Sequence, residues 1–117
     1  MEQNEVEELK LLLRKFAQER DWEQFHSPKN LSMALSVEAS ELLEHFQWMT
    51  DQSSYALGEA KQQLVSYELA DVFIYLLRLC DQLNVDLMSV TKEKMKINNE
   101  RYPVSKVKGS SKKYTEY

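Results

Sequence analysis

The sequence predicts an all-α fold, a four-helix-bundle-like domain, and three observations support this prediction. Two glycines and two prolines among 117 residues leave few positions for the tight turns of a sheet. Apolar residues recur at helical spacing along nearly the whole chain. The length suits one domain that buries its core without disulfides. We therefore expect one helical domain over residues 1–103 and a basic C-terminal tail over residues 104–117.

Four helices are predicted along the chain, and the signals at their ends define them. The loop after the first helix contains Pro28, and Asn30 or Ser32 is the expected N-cap of the second helix. The polar segment TDQSSYALG separates the second helix from the third. The approximate ranges are 4–20 for the first helix, an end near Met49 for the second, 59–83 for the third and 87–101 for the fourth.

The third predicted helix is apolar on more than one side. One broad stripe contains Val65, Leu69, Val72, Leu76, Leu79 and Leu83, and the opposite side carries Ala70, Ile74 and Leu77. A helix that is apolar all round needs neighbours all round, and four helices supply limited cover. The pattern therefore indicates self-association, most simply a dimer that buries this helix.

Charge and cysteine content limit the expected surroundings of the protein. The net charge of −4 combines an acidic body with a basic C-terminal segment, and an acidic body argues against binding to duplex nucleic acid. Cys80 is the only cysteine, which excludes a disulfide framework and fits a reducing compartment. Neither a secretory signal nor a long uncharged apolar run is visible. We expect a soluble, cytoplasmic protein without a membrane span.

Two pairs of carboxylates interrupt the apolar pattern, Glu38 with Glu41 and Glu68 with Asp71. The members of each pair are three residues apart, so they share one helix surface, where like charges repel unless a cation intervenes. Packing of the second helix on the third would bring all four together. Such oxygen donors suit Mg²⁺, for which Mn²⁺ can substitute. Glu44, one turn beyond Glu41, is either part of the outer coordination sphere or simply exposed.

Two alternatives compete with this interpretation of the carboxylates. A single E-x-x-E pattern is usually solvated on a surface helix, although two such pairs among apolar residues are harder to explain in that way. A di-iron carboxylate bundle would need Glu-x-x-His on two helices. The only such spacing runs from Glu23 to His26, in a loop, which argues against iron chemistry.

The carboxylate spacing and several longer strings carry a family resemblance. Glu38-x-x-Glu41 and Glu68-x-x-Asp71 are separated by 26 residues, and the strings are RDWEQFHSPKNL, ELLEHFQW, ELADVFIYL, RYPV and KYT. Together they resemble the MazG-like all-α nucleoside triphosphate pyrophosphohydrolases, in the branch of the vertebrate dCTP pyrophosphatases. The resemblance extends over most of the chain, from about residue 16 to residue 115.

This resemblance implies an activity and an assembly. The implied reaction is cleavage of a (deoxy)nucleoside triphosphate, dCTP or a related or modified nucleotide, between the α and β phosphates. Glu38, Glu41, Glu68 and Asp71 are the implied Mg²⁺ ligands and catalytic groups. The implied assembly is a homotetramer, a dimer of dimers, which agrees with the apolar third helix.

The resemblance also implies a nucleotide pocket. Trp22, Trp48 and Tyr75 match aromatic positions of the branch and are candidates for base stacking, whereas spacing alone would favour core packing or an interface. His26 and Asn30 flank the second helix, and His26 either donates to phosphate or folds the loop.

Further candidate ligands of the phosphates and sugar lie toward the C-terminus, where spacing alone would predict a solvated face. They are Lys94, Asn98, Arg101, Tyr102, Lys112 and Tyr114, of which the last two would fold the tail across the site of the same or a neighbouring subunit. Leu13 stands where some vertebrate members have histidine, so the resemblance leaves the preferred base open. The alternative function is a non-catalytic helical oligomer that binds nucleotide, or a basic protein, through its acidic face.

Overall fold

The computed structural model describes residues 2–116, and the side chains of residues 5–113, 115 and 116. All regular secondary structure in that range is helical, which confirms the all-α prediction. The α-helices are α1 (Glu2–Glu19), α2 (Pro28–Glu44), α3 (Asp51–Ser54), α4 (Glu59–Leu83), α5 (Leu87–Arg101) and α6 (Val104–Val107), with 3₁₀ turns at Glu23–Phe25 and Tyr114–Glu116. The chain divides into two compact units, the first ending at Asn84 and the second beginning at Val85.

Helices α4 and α5 have the ranges expected for the third and fourth helices, and local backbone signals explain their ends. Gly58 precedes α4 with φ 78°, a conformation that glycine adopts without steric cost. Asn84 ends α4 in the left-handed region with φ 54°, which asparagine tolerates better than most residues. The Asp86 side chain then caps α5 by accepting a hydrogen bond from the N–H of Ser89 at 3.2 Å.

Helix α2 differs from its prediction at both ends. Its N-cap is Ser27, whose hydroxyl accepts from the N–H of Asn30 at 3.1 Å, so the expected caps Asn30 and Ser32 are wrong. Pro28 occupies the first turn, where a missing N–H costs nothing. The helix ends at Glu44 instead of near Met49, because backbone bonds beyond it tighten to three-residue turns, such as His45 N–H to the Leu42 carbonyl at 3.2 Å.

Helix α4 is the centre of the first unit and packs along α2 and against α1. Leu77, which the sequence placed opposite the broad stripe, is fully buried, whereas Leu69 of that stripe is 52% exposed. Ala17 of α1 and Leu31 of α2 complete this core. Two long neighbours within the chain cover only part of a helix that is apolar on several sides. Cys80 is buried as a free thiol, as expected for a lone apolar cysteine.

The segment between α1 and α2 turns back over the first unit. Asp21 adopts φ 56°, and the N–H of Trp22 donates to the Ala17 carbonyl at 2.9 Å. At the far end of the segment, the Gln82 side-chain amide donates to the His26 carbonyl at 2.9 Å. These contacts fix Trp22 and His26 relative to α1 and α4. Among the described residues, no helix has the length and apolar character that a bilayer crossing requires.

Candidate functional site

Packing of α2 on α4 brings three of the four predicted carboxylates together. One oxygen each from Glu38, Glu41 and Glu68 lies within 4.8 Å of the others. Oε2 of Glu38 and Oε2 of Glu68 are shielded from solvent and have no hydrogen-bond partner among the described residues. Shielded anionic oxygens without partners are costly, and an all-oxygen donor set is what a hard divalent cation prefers. The residues present therefore fit a metal ion such as Mg²⁺.

The electrostatics of the cluster point in the same direction. Burial, the close approach of the Glu68 and Glu41 carboxyl groups, and the charges of Glu41 and Asp71 together raise the pKa of Glu38 to about 7. A carboxyl group so close to other carboxyl groups can keep its negative charge only against repulsion. A bound divalent cation would relieve that repulsion.

The remaining acidic candidates lie at different distances from the cluster. Asp71 lines the neighbouring cavity together with Glu38, and its charge contributes to the raised Glu38 pKa. Glu44, at the end of α2, is exposed. The part of Asp71 in metal binding and that of Glu44 in the outer coordination sphere both stay predictions.

A cavity of about 320 Å³ lies beside the carboxylates. Its volume is within the range of small-molecule sites. Three predicted nucleotide ligands line it, namely Trp22, His26 and Tyr75. Glu38 and Asp71 also line it, so the acidic cluster and an aromatic surface share one space. The structure thus joins the aromatic and acidic candidates that the sequence only suggested.

Trp22 is held in this cavity by its neighbours on α1 and in the loop. Its ring meets Phe16 edge-on at a centroid distance of 5.8 Å and lies 6.4 Å from the tilted His26 ring. Trp22 is still 44% exposed. A fixed indole with open surface can offer a face to a planar base.

Two other predicted ligands of the nucleotide do not line the cavity. Trp48 is 89% exposed and lies beyond the end of α2 at Glu44. The Asn30 side chain donates to the Phe25 carbonyl at 3.0 Å and so stabilises the loop before α2. Their roles in binding remain predictions.

The C-terminal candidates belong to the second unit. Lys94 donates to the Asn98 side-chain carbonyl at 3.0 Å, so these residues are neighbours on α5. Arg101 is the last residue of that helix, and the N–H of Tyr102 donates to the Asn98 carbonyl at 2.8 Å. Lys112 is exposed, and the Tyr114 side chain lies outside the described residues.

The structure also reveals a cluster that sequence reasoning missed. Arg78 on α4 is 3% exposed and lines the cavity. Its Nε–H donates to Nδ1 of His26 at 3.3 Å, and Nη1 donates to Asp81 at 3.1 Å. Arg14 of α1 also pairs with Asp81, through two bonds of 2.6 and 3.0 Å. The signal was present in the string YLLRLC, where a lone charge interrupts an apolar run as the carboxylates do elsewhere.

Comparison with known proteins adds the family. The MazG-like family model matches residues 33–117. dCTP pyrophosphatase 1 from Homo sapiens is 45% identical over 113 residues, which cover 95% of this chain and 66% of that protein. The Mus musculus protein of the same name is 43% identical over the same shares. This chain thus spans about two thirds of the length of the curated relatives it matches.

A solved structure agrees with the sequence comparisons. The crystal structure of a pyrophosphatase from Archaeoglobus fulgidus superposes with a TM-score of 0.80 at 41% identity, covering 85% of this chain and 93% of that one. The family model, the relatives and this superposition confirm the resemblance inferred from the carboxylate spacing and the longer strings. The chain belongs to the MazG-like family.

Proposed function

We propose that this chain is a nucleotide pyrophosphohydrolase that cleaves dCTP, or a related or modified deoxynucleoside triphosphate, to the monophosphate and pyrophosphate. One observation carries the proposal: three carboxylates with oxygens within 4.8 Å of one another border a cavity with aromatic side chains. A triphosphate and its base need those two environments side by side. The relatives named dCTP pyrophosphatase 1 support the choice of substrate.

The acidic side of the site would hold the metal. A triphosphate carries about four negative charges, so carboxylates alone would repel it. Glu38, Glu41, Glu68 and Asp71 would hold Mg²⁺, or Mn²⁺ in its place. When bound, the ion supplies Lewis acidity and neutralises phosphate charge. The shielded oxygens of Glu38 and Glu68 support this assignment, because they have no other partner among the described residues.

The aromatic side of the cavity would hold the base. Trp22 and Tyr75 are its candidate stacking surfaces, and base stacking on an aromatic ring contributes roughly 1–3 kcal/mol. Trp48, being almost fully exposed on a single chain, is proposed to act within an assembly. The proposed ligands of the phosphates and sugar, by family resemblance, are Asn30, Lys94, Asn98, Arg101, Tyr102, Lys112 and Tyr114.

The proposed assembly is a homotetramer. Its support is the apolar surface that α4 leaves uncovered within one chain, where Leu69 and Phe73 are both exposed. Exposed apolar residues along one helix are typical of a protein interface. A reducing, cytoplasmic compartment is part of the same proposal, supported by the free thiol of Cys80.

A nucleotide panel tests the proposed reaction. The protein is incubated with Mg²⁺ and each (deoxy)nucleoside triphosphate, and ³¹P NMR distinguishes pyrophosphate from orthophosphate. We expect pyrophosphate and the monophosphate, with dCTP or a modified dCTP among the best substrates, and loss of turnover with chelator. Formation of a nucleoside diphosphate and orthophosphate would contradict α–β cleavage. Nucleotide binding without any turnover would favour the non-catalytic alternative.

A further inference from the structure

One side of the cavity is formed by Arg78, a buried cation whose charge is only partly compensated by its neighbours. Arg78 is nearly fully buried, and the carboxylate it pairs with, Asp81, is shared with Arg14. Two guanidinium groups therefore meet one carboxylate. Nη2 of Arg78 is shielded from solvent and has no hydrogen-bond partner among the described residues. A buried cationic donor with an unmet bond is costly, which points to a ligand atom that completes it.

Arg78 also determines what the neighbouring histidine can do. Arginine has no acceptor, so Nδ1 of His26 must carry a lone pair toward Nε of Arg78, 3.3 Å away. Burial and the charge of Arg78 lower the pKa of His26, although Glu23 opposes this, so the neutral ring dominates at neutral pH. In the neutral ring the proton then lies on Nε2. The bond from Gln82 to the His26 carbonyl holds the backbone of the same residue.

We propose that Arg78, together with the His26 ring it orients, forms a donor-only wall that selects nucleobases carrying a carbonyl oxygen over adenine. Both residues line the cavity. A carbonyl oxygen has two lone pairs and can accept from both residues, whereas each ring nitrogen of adenine accepts one bond and its amino group only donates. Cytosine, thymine, uracil and guanine all carry such an oxygen. The inference rests on the proposed function and names the feature of the base that this site recognises.

The matched variants are Arg78→Met and Arg14→Met. Both remove a guanidinium group from Asp81, but only Arg78 lines the cavity and contacts His26. We expect Arg78→Met to lower kcat/KM for dCTP, dTTP and dGTP by about 10-fold or more, mainly through KM, while dATP changes by less than about 3-fold. Arg14→Met should leave the ratio of dCTP to dATP unchanged. Equal losses on all four nucleotides, or a shift in that ratio with Arg14→Met, would overturn the proposal.

A second measurement separates this inference from the proposed reaction, because it needs neither metal nor turnover. Ring ¹⁵N shifts report the tautomer of His26, with His45 as the only other histidine. We expect the Nε2–H form in the wild type and a mixture in Arg78→Met. Deoxycytidine should bind the wild-type protein more tightly than deoxyadenosine, and Arg78→Met should remove the difference. An unchanged tautomer and an unchanged nucleoside preference in the variant would refute the donor wall even if triphosphates are cleaved.

A third variant covers the case in which Arg78→Met does not fold. Arg78→Lys keeps a cation for Asp81 but lacks the planar fork that reaches His26 at the same time. We expect it to fold and to lose the preference for carbonyl-bearing bases. A folded Arg78→Lys protein with wild-type preference would mean that only charge matters at this position, which contradicts the proposal.

Discussion

At the scale of single residues, Glu38 and Glu68 carry the least compensated negative charge of the site. Their shielded Oε2 atoms lie in a cluster of three carboxylates, and no described residue supplies a compensating bond. The chain accepts an unfavourable arrangement in the metal-free state because the same arrangement suits a divalent ion. Stability and activity should therefore respond to these residues in opposite directions.

Glu68→Gln tests this opposition. Glutamine keeps the shape of the side chain and removes one negative charge, so the metal-free melting temperature should be unchanged or higher than that of the wild type. Addition of Mg²⁺ should raise the melting temperature of the variant less, since stabilisation by a ligand follows its affinity. Turnover should fall by orders of magnitude. Strong destabilisation of the metal-free variant, with equal Mg²⁺ shifts in both proteins, would identify the carboxylates as a structural network instead.

At the scale of helices, the contact between α1 and α4 depends on a polar cluster beside the core. Arg14 reaches Asp81 across 67 residues of sequence, and Arg78 reaches His26 across 52. The hydrogen bond from Arg14, with the charges of Arg14, Arg78 and Lys10, holds the pKa of Asp81 below its usual range, although burial opposes the shift. The contribution of this cluster to the free energy of unfolding should therefore depend on pH.

Asp81→Asn measures the contribution of these ion pairs to stability. At neutral pH the substitution removes the carboxylate that faces buried Arg78, and we expect a loss of about 3 kcal/mol in the free energy of unfolding, typical of breaking a buried pair. Because the folded pKa of Asp81 is depressed, its contribution is complete above the unfolded pKa of about 4 and disappears as pH falls through the lower, folded value. Urea denaturation of both proteins should show a gap at pH 7 that closes toward pH 3. A gap that stays constant would exclude the ion pair as its source.

The helices show which features the sequence could predict. Gly58 and Asn84 are strong end signals, so α4 was predicted to the residue. The start of α2 offered several residues able to cap it, and Pro28 in the first turn favoured Ser27 over the later candidates. The carboxylates were found because their spacing is local to each helix. Arg78 was missed because its partner His26 lies on a distant segment that only the fold brings close.

At the scale of the whole molecule, α4 leaves an apolar surface that one chain does not cover. Leu69 and Phe73 are exposed near the middle of the helix, on the side away from the stripe of Glu68, Asp71 and Tyr75. An association through this surface would keep α4 away from water on its remaining side.

Leu69→Glu tests the association. Sedimentation equilibrium of the wild type at micromolar concentration should give a mass several times 13.8 kDa. The variant places a charge in the proposed interface and should shift the mass toward that of one chain. Tyr55→Ser is the control, since it alters an exposed residue in a loop. A monomeric wild type would refute the proposed assembly, and equal masses for wild type and variant would place the interface elsewhere.

Helix α4 also fixes the distance between the acidic end of the site and Arg78. Glu68, Asp71, Tyr75 and Arg78 recur along it at intervals of three or four residues, so they follow one stripe. From Glu68 to Arg78 the axial rise is about 15 Å at the usual helical pitch. In the proposed enzyme, the number of α4 residues between Glu68 and Arg78 thus determines the distance between the reacting phosphates and the recognised edge of the base. Substitutions at Arg78 can change the preferred base without altering the carboxylates. A one-residue insertion between the two ends would instead rotate one relative to the other by about 100°, so that they would no longer face the same cavity.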